Sequence, residues 1–367
     1  MKTTDKKRWH DSTKLIFHME RVIDYYDKKK LIAPIHIDVG LTKKCNMLCT
    51  YCYGKMQDLN GAEISRKALL ENLIESAAKI GVKSLGFIGD GEPTLNEHCF
   101  EGLALGKKLG ISMAMSTNGI LLDSYFKQKI ALESCEWMRF NISAYTEKGY
   151  RDIHKSNKRD VVFQNVRDMV ELKQMENLKC DLGIQMVFDP SSMLDEVLPL
   201  AKFAISSGVD YFVIKQCSLP DDGKSGIKQF DVNQYDDTIV QDVLKEAEGL
   251  STDRTQIIPK WNIMDLKGEK PYRKCLSIPV LSEISGDGGF YPCGYFFGGK
   301  RKDMEIGNLH DMTLEEMIKS NRYWDIINTL ETTFEPGVDC KGTCRQDAAN
   351  IFLDEYVYDR PSGLNFI

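Results

Sequence analysis

Between residues 35 and 217 this chain repeats a strand–helix rhythm six times, and that rhythm limits the folds open to it. The stretches Ile35–Leu41, Ser84–Gly89, Ile111–Thr117, Trp137–Ser143, Leu182–Phe188 and Tyr211–Gln216 read as strands, being short apolar or alternating runs. Residues 65–80, 99–109, 122–133, 160–176 and 192–206 carry the apolar spacing of helices between them. Such alternation predicts a parallel sheet with right-handed crossovers. The fourth strand helps choose between an open sheet and a barrel. Trp137, Arg139, Asn141 and Ser143 share one face, and Met138, Phe140 and Ile142 share the other. Strands covered by helices on both sides are apolar on both faces. A polar face instead predicts a lumen that holds a ligand, and Gln185 and Gln216 also fall opposite apolar neighbours. The expected fold is α/β: a partial (β/α)6 TIM-like barrel with its chemistry at the carboxyl ends of the strands.

Outside the rhythm, residues 13–30 read as an amphipathic helix ending in a solvated lysine run, Lys28 to Lys30. After about residue 220 come a loop at Pro220–Gly226, helical pattern at 234–249 and a hairpin, Leu281–Ile284 with Gly289–Cys293. Helices are expected at 313–333 and 344–356. The expected division is a helical extension (1–33), a barrel (34–220) and a small α+β extension (221–367). The net charge is −6, from 48 Lys and Arg against 54 Asp and Glu, so no basic field invites nucleic acid or an anionic membrane. No apolar run reaches the roughly 18 residues of a membrane span. No apolar signal core follows the first residues, so a cytoplasmic location is expected.

The eleven cysteines are unusual for such a chain. Without a secretory context, clustered cysteines point to metal or catalysis rather than disulfides. Cys45, Cys49 and Cys52 have the spacing Cys-x3-Cys-x2-Cys directly after the first strand. Three thiolates can hold three irons of a [4Fe–4S] cubane and leave one iron open. A structural zinc site would want a fourth close ligand, and the next histidine is His98. Farther on, Cys275, Cys293, Cys340 and Cys344 form Cys-x17-Cys-x46-Cys-x3-Cys. Four thiolates can close a second cluster fully, and zinc also fits them chemically. The six histidines show no ligand spacing, and His154 reads as a solvated loop residue.

On these residues the sequence resembles the radical S-adenosylmethionine (radical SAM) superfamily over about residues 33–217. The triad with Tyr51 before its last cysteine is similar to the family signature. Gly89-Asp90-Gly91-Glu92-Pro93 resembles the family's Gly-Gly-Glu-Pro, with Asp90 in place of a glycine. Ser116-Thr117-Asn118-Gly119 and Asn141-Ile142-Ser143 follow the third and fourth strands, as in the family. The resemblance implies that the triad's cluster binds S-adenosylmethionine (SAM) and cleaves it reductively to a 5′-deoxyadenosyl radical. It also implies cofactor contacts from Tyr51, Gly91, Glu92, Asn118, Ser143 and Gln185, and from a basic residue among Arg151, Lys158 and Arg159. An electron donor such as a flavodoxin or ferredoxin is implied as partner.

The run from Cys275 through Gly288 to Cys293, with Ile306-Gly307-Asn308-Leu309, resembles the SPASM/twitch extension of these enzymes. The absence of cysteines after Cys344 resembles its shorter, one-cluster form, as in the aminocyclitol and sugar radical SAM dehydrogenases. That implies oxidation of a carbinol in a sugar, aminocyclitol or nucleotide-linked sugar, with an electron passing to the auxiliary [4Fe–4S] cluster. Lys215 and Arg139 are the candidate proton-handling residues. Three alternatives stay open: a peptide-modifying enzyme, an epimerase using Cys217 as hydrogen donor, and a non-catalytic iron–sulfur or zinc module. The substrate is expected to be a small molecule or a peptide.

Overall fold

The protein is described here by a computed structural model over residues 12–52, 61–217, 231–297, 302–340, 342–360 and 362–363. The expected loop at Pro220–Gly226 and the residue His10 lie outside the described residues. Among the described residues ten strands form one sheet: β1 (His36–Val39), β2 (Ser84–Phe87), β3 (Ser112–Thr117), β4 (Cys135–Asn141), β5 (Asp181–Phe188), β6 (Tyr211–Gln216), β7 (Gln256–Pro259), β8 (Leu281–Ile284), β9 (Gly289–Tyr291) and β10 (Gly307–Asn308). Their order is β10-β9-β8-β1-β2-β3-β4-β5-β6-β7. β1 to β7 run parallel in sequence order, the topology of a partial barrel.

The main helices are α1 (Met19–Tyr26), α2 (Ser76–Ile80), α3 (Cys99–Lys108), α4 (Tyr125–Ser134), α5 (Glu147–His154), α6 (Arg159–Met175), α7 (Pro190–Ser207), α8 (Thr238–Gly249), α9 (Trp261–Met264), α10 (Leu314–Lys319), α11 (Asn321–Thr332) and α12 (Asp347–Tyr358). A π-helical stretch, Ala68–Glu75, leads into α2. Local chemistry sets the ends. Asp189 caps α7 by accepting the Ser191 N–H at 3.1 Å, Pro190 opens that helix, and left-handed Gly208 ends it.

Side-chain parity divides the strands into two faces. Leu85, Phe87, Met113, Met115, Met138, Phe140, Leu182, Ile184, Phe212 and Ile214 are fully buried in the main core. The other parity puts Asp38, Ser116, Arg139, Asn141, Gln185 and Lys215 on a cavity wall. Gln216 belongs to the core parity instead, and among the described residues neither polar atom of its side chain has a hydrogen-bond partner. The expectation that it faces the lumen is therefore corrected.

Two further expectations change. The rhythm does not stop at the sixth strand: α8 and β7 add a seventh parallel unit. β7 has only four residues and ends in Pro259, which an edge strand tolerates. The hairpin β8–β9 also joins the barrel sheet directly, since β8 pairs in parallel with β1 and sets Glu283 beside Asp38. The helix expected over 313–333 breaks at Ser320, whose hydroxyl accepts the Tyr323 N–H at 3.2 Å and starts α11.

Candidate active site

At the carboxyl ends of the strands lies a cavity of about 400 Å³. All seven clustered cysteines line it: Cys45, Cys49 and Cys52 on one side, and Cys275, Cys293, Cys340 and Cys344 from the extension. Burial pushes up the thiols of Cys293, Cys340 and Cys344, and those of Cys45 to about 11 and Cys49 and Cys275 to about 12. Bare thiolates are thus disfavoured here, and iron is the kind of cationic partner that would offset their desolvation. The thiols do not converge on one point. Among the described residues no three His, Cys, Asp or Glu side chains come together as ligands of a single ion. Three and four thiols match the ligand counts of an open and a closed [4Fe–4S] cluster.

The Cys45–Cys52 loop is fastened on two sides. Gly91 lies against it so closely that a Cβ there would sit 2.2 Å from the Thr42 carbonyl oxygen and 2.4 Å from that of Lys44. Only glycine fits that approach. Glu92, buried beside it, donates its N–H to the Lys44 carbonyl at 2.8 Å. Its Oε1 accepts the Thr94 N–H at 3.1 Å and the Thr94 and Thr117 hydroxyls at 2.6 Å each. Its Oε2 accepts the Asn118 N–H at 2.7 Å. Asn118 then reaches the cysteine loop, donating to Asn46 Oδ1 at 2.6 Å. Burial pushes the Glu92 carboxyl up, and the four hydrogen bonds oppose that shift. On the far side, the Leu48 and Thr50 N–H groups donate to the carbonyls of His154 and Ile153 at the end of α5.

Asp90 stands where the family pattern has glycine, and the structure gives it work. Its carboxylate accepts the Ser285 hydroxyl at 2.8 Å and the Gly286 N–H at 3.0 Å, tying the β2 loop to the β8–β9 turn. The start of α12 organises the second cysteine set. The Asp347 carboxylate accepts the Cys344 N–H at 2.9 Å, the Tyr272 hydroxyl at 2.7 Å and a buried Lys270 ammonium at 2.7 Å. Asn350 Oδ1 accepts the N–H groups of Leu276 and Ser277, next to Cys275, at 2.8 Å each. Arg345, beside Cys344, pairs with Asp38 on β1.

Between the two cysteine sets runs the polar wall of β3–β6. Arg139 Nε donates to Ser116 Oγ at 3.1 Å, and Asn141 Oδ1 accepts from Ser116 at 3.2 Å and from Gln185 at 3.0 Å. The Lys215 side chain has no hydrogen bond or ion pair with any described residue, and it lines the cavity. Burial, with the Arg139 charge nearby, lowers its ammonium to about 8.

Three kinds of comparison with known proteins bear on this site. Residues 39–204 match the model of the Radical SAM superfamily. Among curated relatives, a probable GTP 3′,8-cyclase of Pyrococcus horikoshii is 24% identical over 169 residues. That match covers 46% of this chain and 52% of the relative, so the chain spans about half of that protein's length. A tungsten-containing aldehyde ferredoxin oxidoreductase cofactor-modifying protein of Pyrococcus furiosus is 22% identical over 321 residues, 83% of this chain and 86% of the relative. These relatives carry cyclase and cofactor-modifying names rather than that of an aminocyclitol dehydrogenase. Streptococcus suis SuiB bound to S-adenosylmethionine superposes with a TM-score of 0.64 at 18% identity, covering 86% of this chain and 72% of SuiB. The fold is thus that of solved proteins with SAM bound; anSMEcpe with bound AdoMet gives 0.59 at 19%, covering 86% of this chain and 91% of the other.

The expected site residues divide accordingly. Tyr51, Gly91, Glu92, Asn118, Gln185, Arg139 and Lys215 line the cavity with the seven cysteines. Ser143 does not: it is fully buried, and its hydroxyl accepts the Val187 N–H at 3.1 Å. Arg151 is exposed on α5, Lys158 is exposed, and Arg159 stacks on Tyr145 and Phe163, so none of the three basic candidates reaches the cavity wall. Cys217 lies off the wall, its N–H donating to the Tyr235 hydroxyl at 3.1 Å, and burial pushes its thiol well up. His154 is not solvated but fully buried against Cys49. Asp38, Glu283 and Arg345 also line the cavity, and no motif or spacing marked them.

Proposed function

We propose that this cavity is the active site of a radical SAM oxidoreductase carrying two [4Fe–4S] clusters. Cys45, Cys49 and Cys52 would hold the cluster that binds SAM, and Cys275, Cys293, Cys340 and Cys344 the closed auxiliary one, as in a twitch-type extension. One observation carries the reading: both cysteine sets line a single cavity. When bound, these groups supply one-electron chemistry, namely a hydrogen-abstracting radical and an electron acceptor, with a flavodoxin or ferredoxin as the electron source.

The chain supplies binding, orientation and proton transfer. Gly91 and Glu92 hold the loops around the triad, and Tyr51 and Asn118 complete that end of the cavity. Arg139, Asn141 and Gln185 offer hydrogen-bonding groups for hydroxyls, which suits a carbinol-bearing sugar, aminocyclitol or nucleotide-linked sugar. Oxidation of a carbinol to a carbonyl removes one hydrogen atom, one electron and one proton. Lys215, neutral above about pH 8, accepts the hydroxyl proton at Nζ. A second reading, a peptide substrate, is favoured by neighbours of the same fold whose crystals hold peptides, such as SuiB bound to precursor peptide SuiA. The epimerase reading has no such support, since Cys217 is not among the described residues that line the cavity.

The test is anaerobic reconstitution and incubation with SAM and a reductant. The protein is expected to release 5′-deoxyadenosine, and a Cys49→Ala variant to release none above background. No release from the reconstituted wild type would refute the enzyme reading.

A further inference from the structure

The geometry around Cys49 assigns a task to a residue that no motif marks. His154 ends α5 and is fully buried. Its Nε2 accepts the Ser143 N–H at 2.9 Å. A ring nitrogen that accepts cannot carry a proton, so the proton of the neutral ring sits on Nδ1. That Nδ1 is 3.2 Å from Cys49 Sγ. The ring is also held on its sides, tilted against Tyr150 at 4.5 Å between centroids and edge-on to Tyr51 at 5.9 Å. The carbonyls of Ile153 and His154 hold the backbone on either side of Cys49 through Thr50 and Leu48. Three contacts of one helix end therefore converge on a single cysteine.

We infer that His154 is a positioning residue that donates its Nδ1–H to the Cys49 sulfur and so raises the reduction potential of the triad's cluster. The inference deepens the reading above and rests on Cys49 being an iron ligand. An N–H donor to a ligating sulfur draws off electron density. It favours the reduced, more negative state of the cluster, and such hydrogen bonds are among the levers that set cluster potentials. Ser143 contributes here through its backbone N–H, which selects the tautomer, and not through its hydroxyl.

Three substitutions separate this role from simple packing. The Nδ2 of asparagine in His154→Asn takes the place of Nδ1 and restores a donor toward Cys49. The carboxamide of glutamine in His154→Gln reaches the position of Nε2, keeping an acceptor for Ser143 but no donor for sulfur. His154→Phe keeps a ring and neither group. The holoenzyme's triad cluster is followed by EPR during a redox titration, its signal identified by the change on adding SAM. His154→Gln and His154→Phe are expected to leave roughly tenfold less reduced cluster at a fixed potential, a shift of about 59 mV downward for a one-electron couple. His154→Asn is expected to stay near the wild type. Unchanged potentials in all three, or a shift in His154→Asn equal to that in His154→Phe, would overturn the inference and leave the cluster assignment standing. A wild type with no SAM-responsive signal would overturn both.

Discussion

Replacing Glu92 by alanine should cost stability before any cofactor is considered, and replacing it by glutamine should cost less. The carboxylate accepts two backbone N–H groups, from Thr94 and Asn118, and two threonine hydroxyls. In Glu92→Ala the hydroxyls can turn to other acceptors, but the two buried amides cannot. Each unsatisfied amide costs about 1–3 kcal/mol. Relief of a buried charge returns part of this, because burial pushes the Glu92 carboxyl up. The expected net loss is about 2–4 kcal/mol. The raised carboxyl also means that the folded protein holds this proton more tightly than the unfolded chain. Stability from this group therefore rises as pH falls through the folded value and is complete below the unfolded one. Glu92→Gln keeps one acceptor oxygen but turns its NH2 toward the Asn118 N–H, so it should lose about 1–3 kcal/mol at pH 8 and show no pH-dependent gain. Urea unfolding of the three proteins, with unchanged slope, reads these differences as midpoint shifts. A Glu92→Ala midpoint equal to the wild type's would show that the carboxylate does not hold these loops together. A Glu92→Gln midpoint equal to the wild type's would show that the second oxygen is not needed as an acceptor.

Three other outcomes follow from the same contacts. If Lys215 takes the proton, substrate oxidation rises with pH to a plateau above about 8, where the amine is neutral. Lys215→Met should lose that limb and about 10²–10⁴-fold in rate, Lys215→Arg should not restore it, and a pH profile that persists in Lys215→Met would refute the role. Asp90→Ala strips the Ser285 hydroxyl and the Gly286 N–H of their acceptor, so about 1–3 kcal/mol and faster hydrogen exchange at that turn are expected. Gly91→Ala should fold yet release little 5′-deoxyadenosine, because its Cβ meets backbone carbonyls and must push the cysteine loop aside; release at the wild-type rate would refute this.

Much of the frame was legible because strand parity is a strong signal. Arg139 and Asn141 alternate with Met138 and Phe140, and the structure sends the two sets to the cavity and the core. The same rule, applied more strictly, separates Lys215 from Gln216: adjacent residues of one strand cannot both face a lumen. β7 escaped notice because four residues ending in proline carry little periodicity. The break at Ser320 was hidden because its capping bond competes with an otherwise continuous apolar pattern. In the site, residues bound by local spacing were readable, such as Cys45, Cys49, Cys52 and Glu92. Residues recruited across the fold were not. Asp38 on β1 meets Arg345 from just before α12, and His154 meets Cys49 only because the end of α5 folds over the cysteine loop. Asp90 looked like a blemish in a glycine motif, and its partners lie nearly two hundred residues away in sequence.

The central claim is that one cavity holds two clusters on two separate sets of thiols. Iron quantification on the anaerobically reconstituted protein tests it most directly. The account predicts about eight irons per chain, about four after Cys275→Ala with Cys293→Ala, and about four after Cys45→Ala, Cys49→Ala and Cys52→Ala together. Four irons in the wild type, unchanged by loss of Cys275 and Cys293, would contradict it.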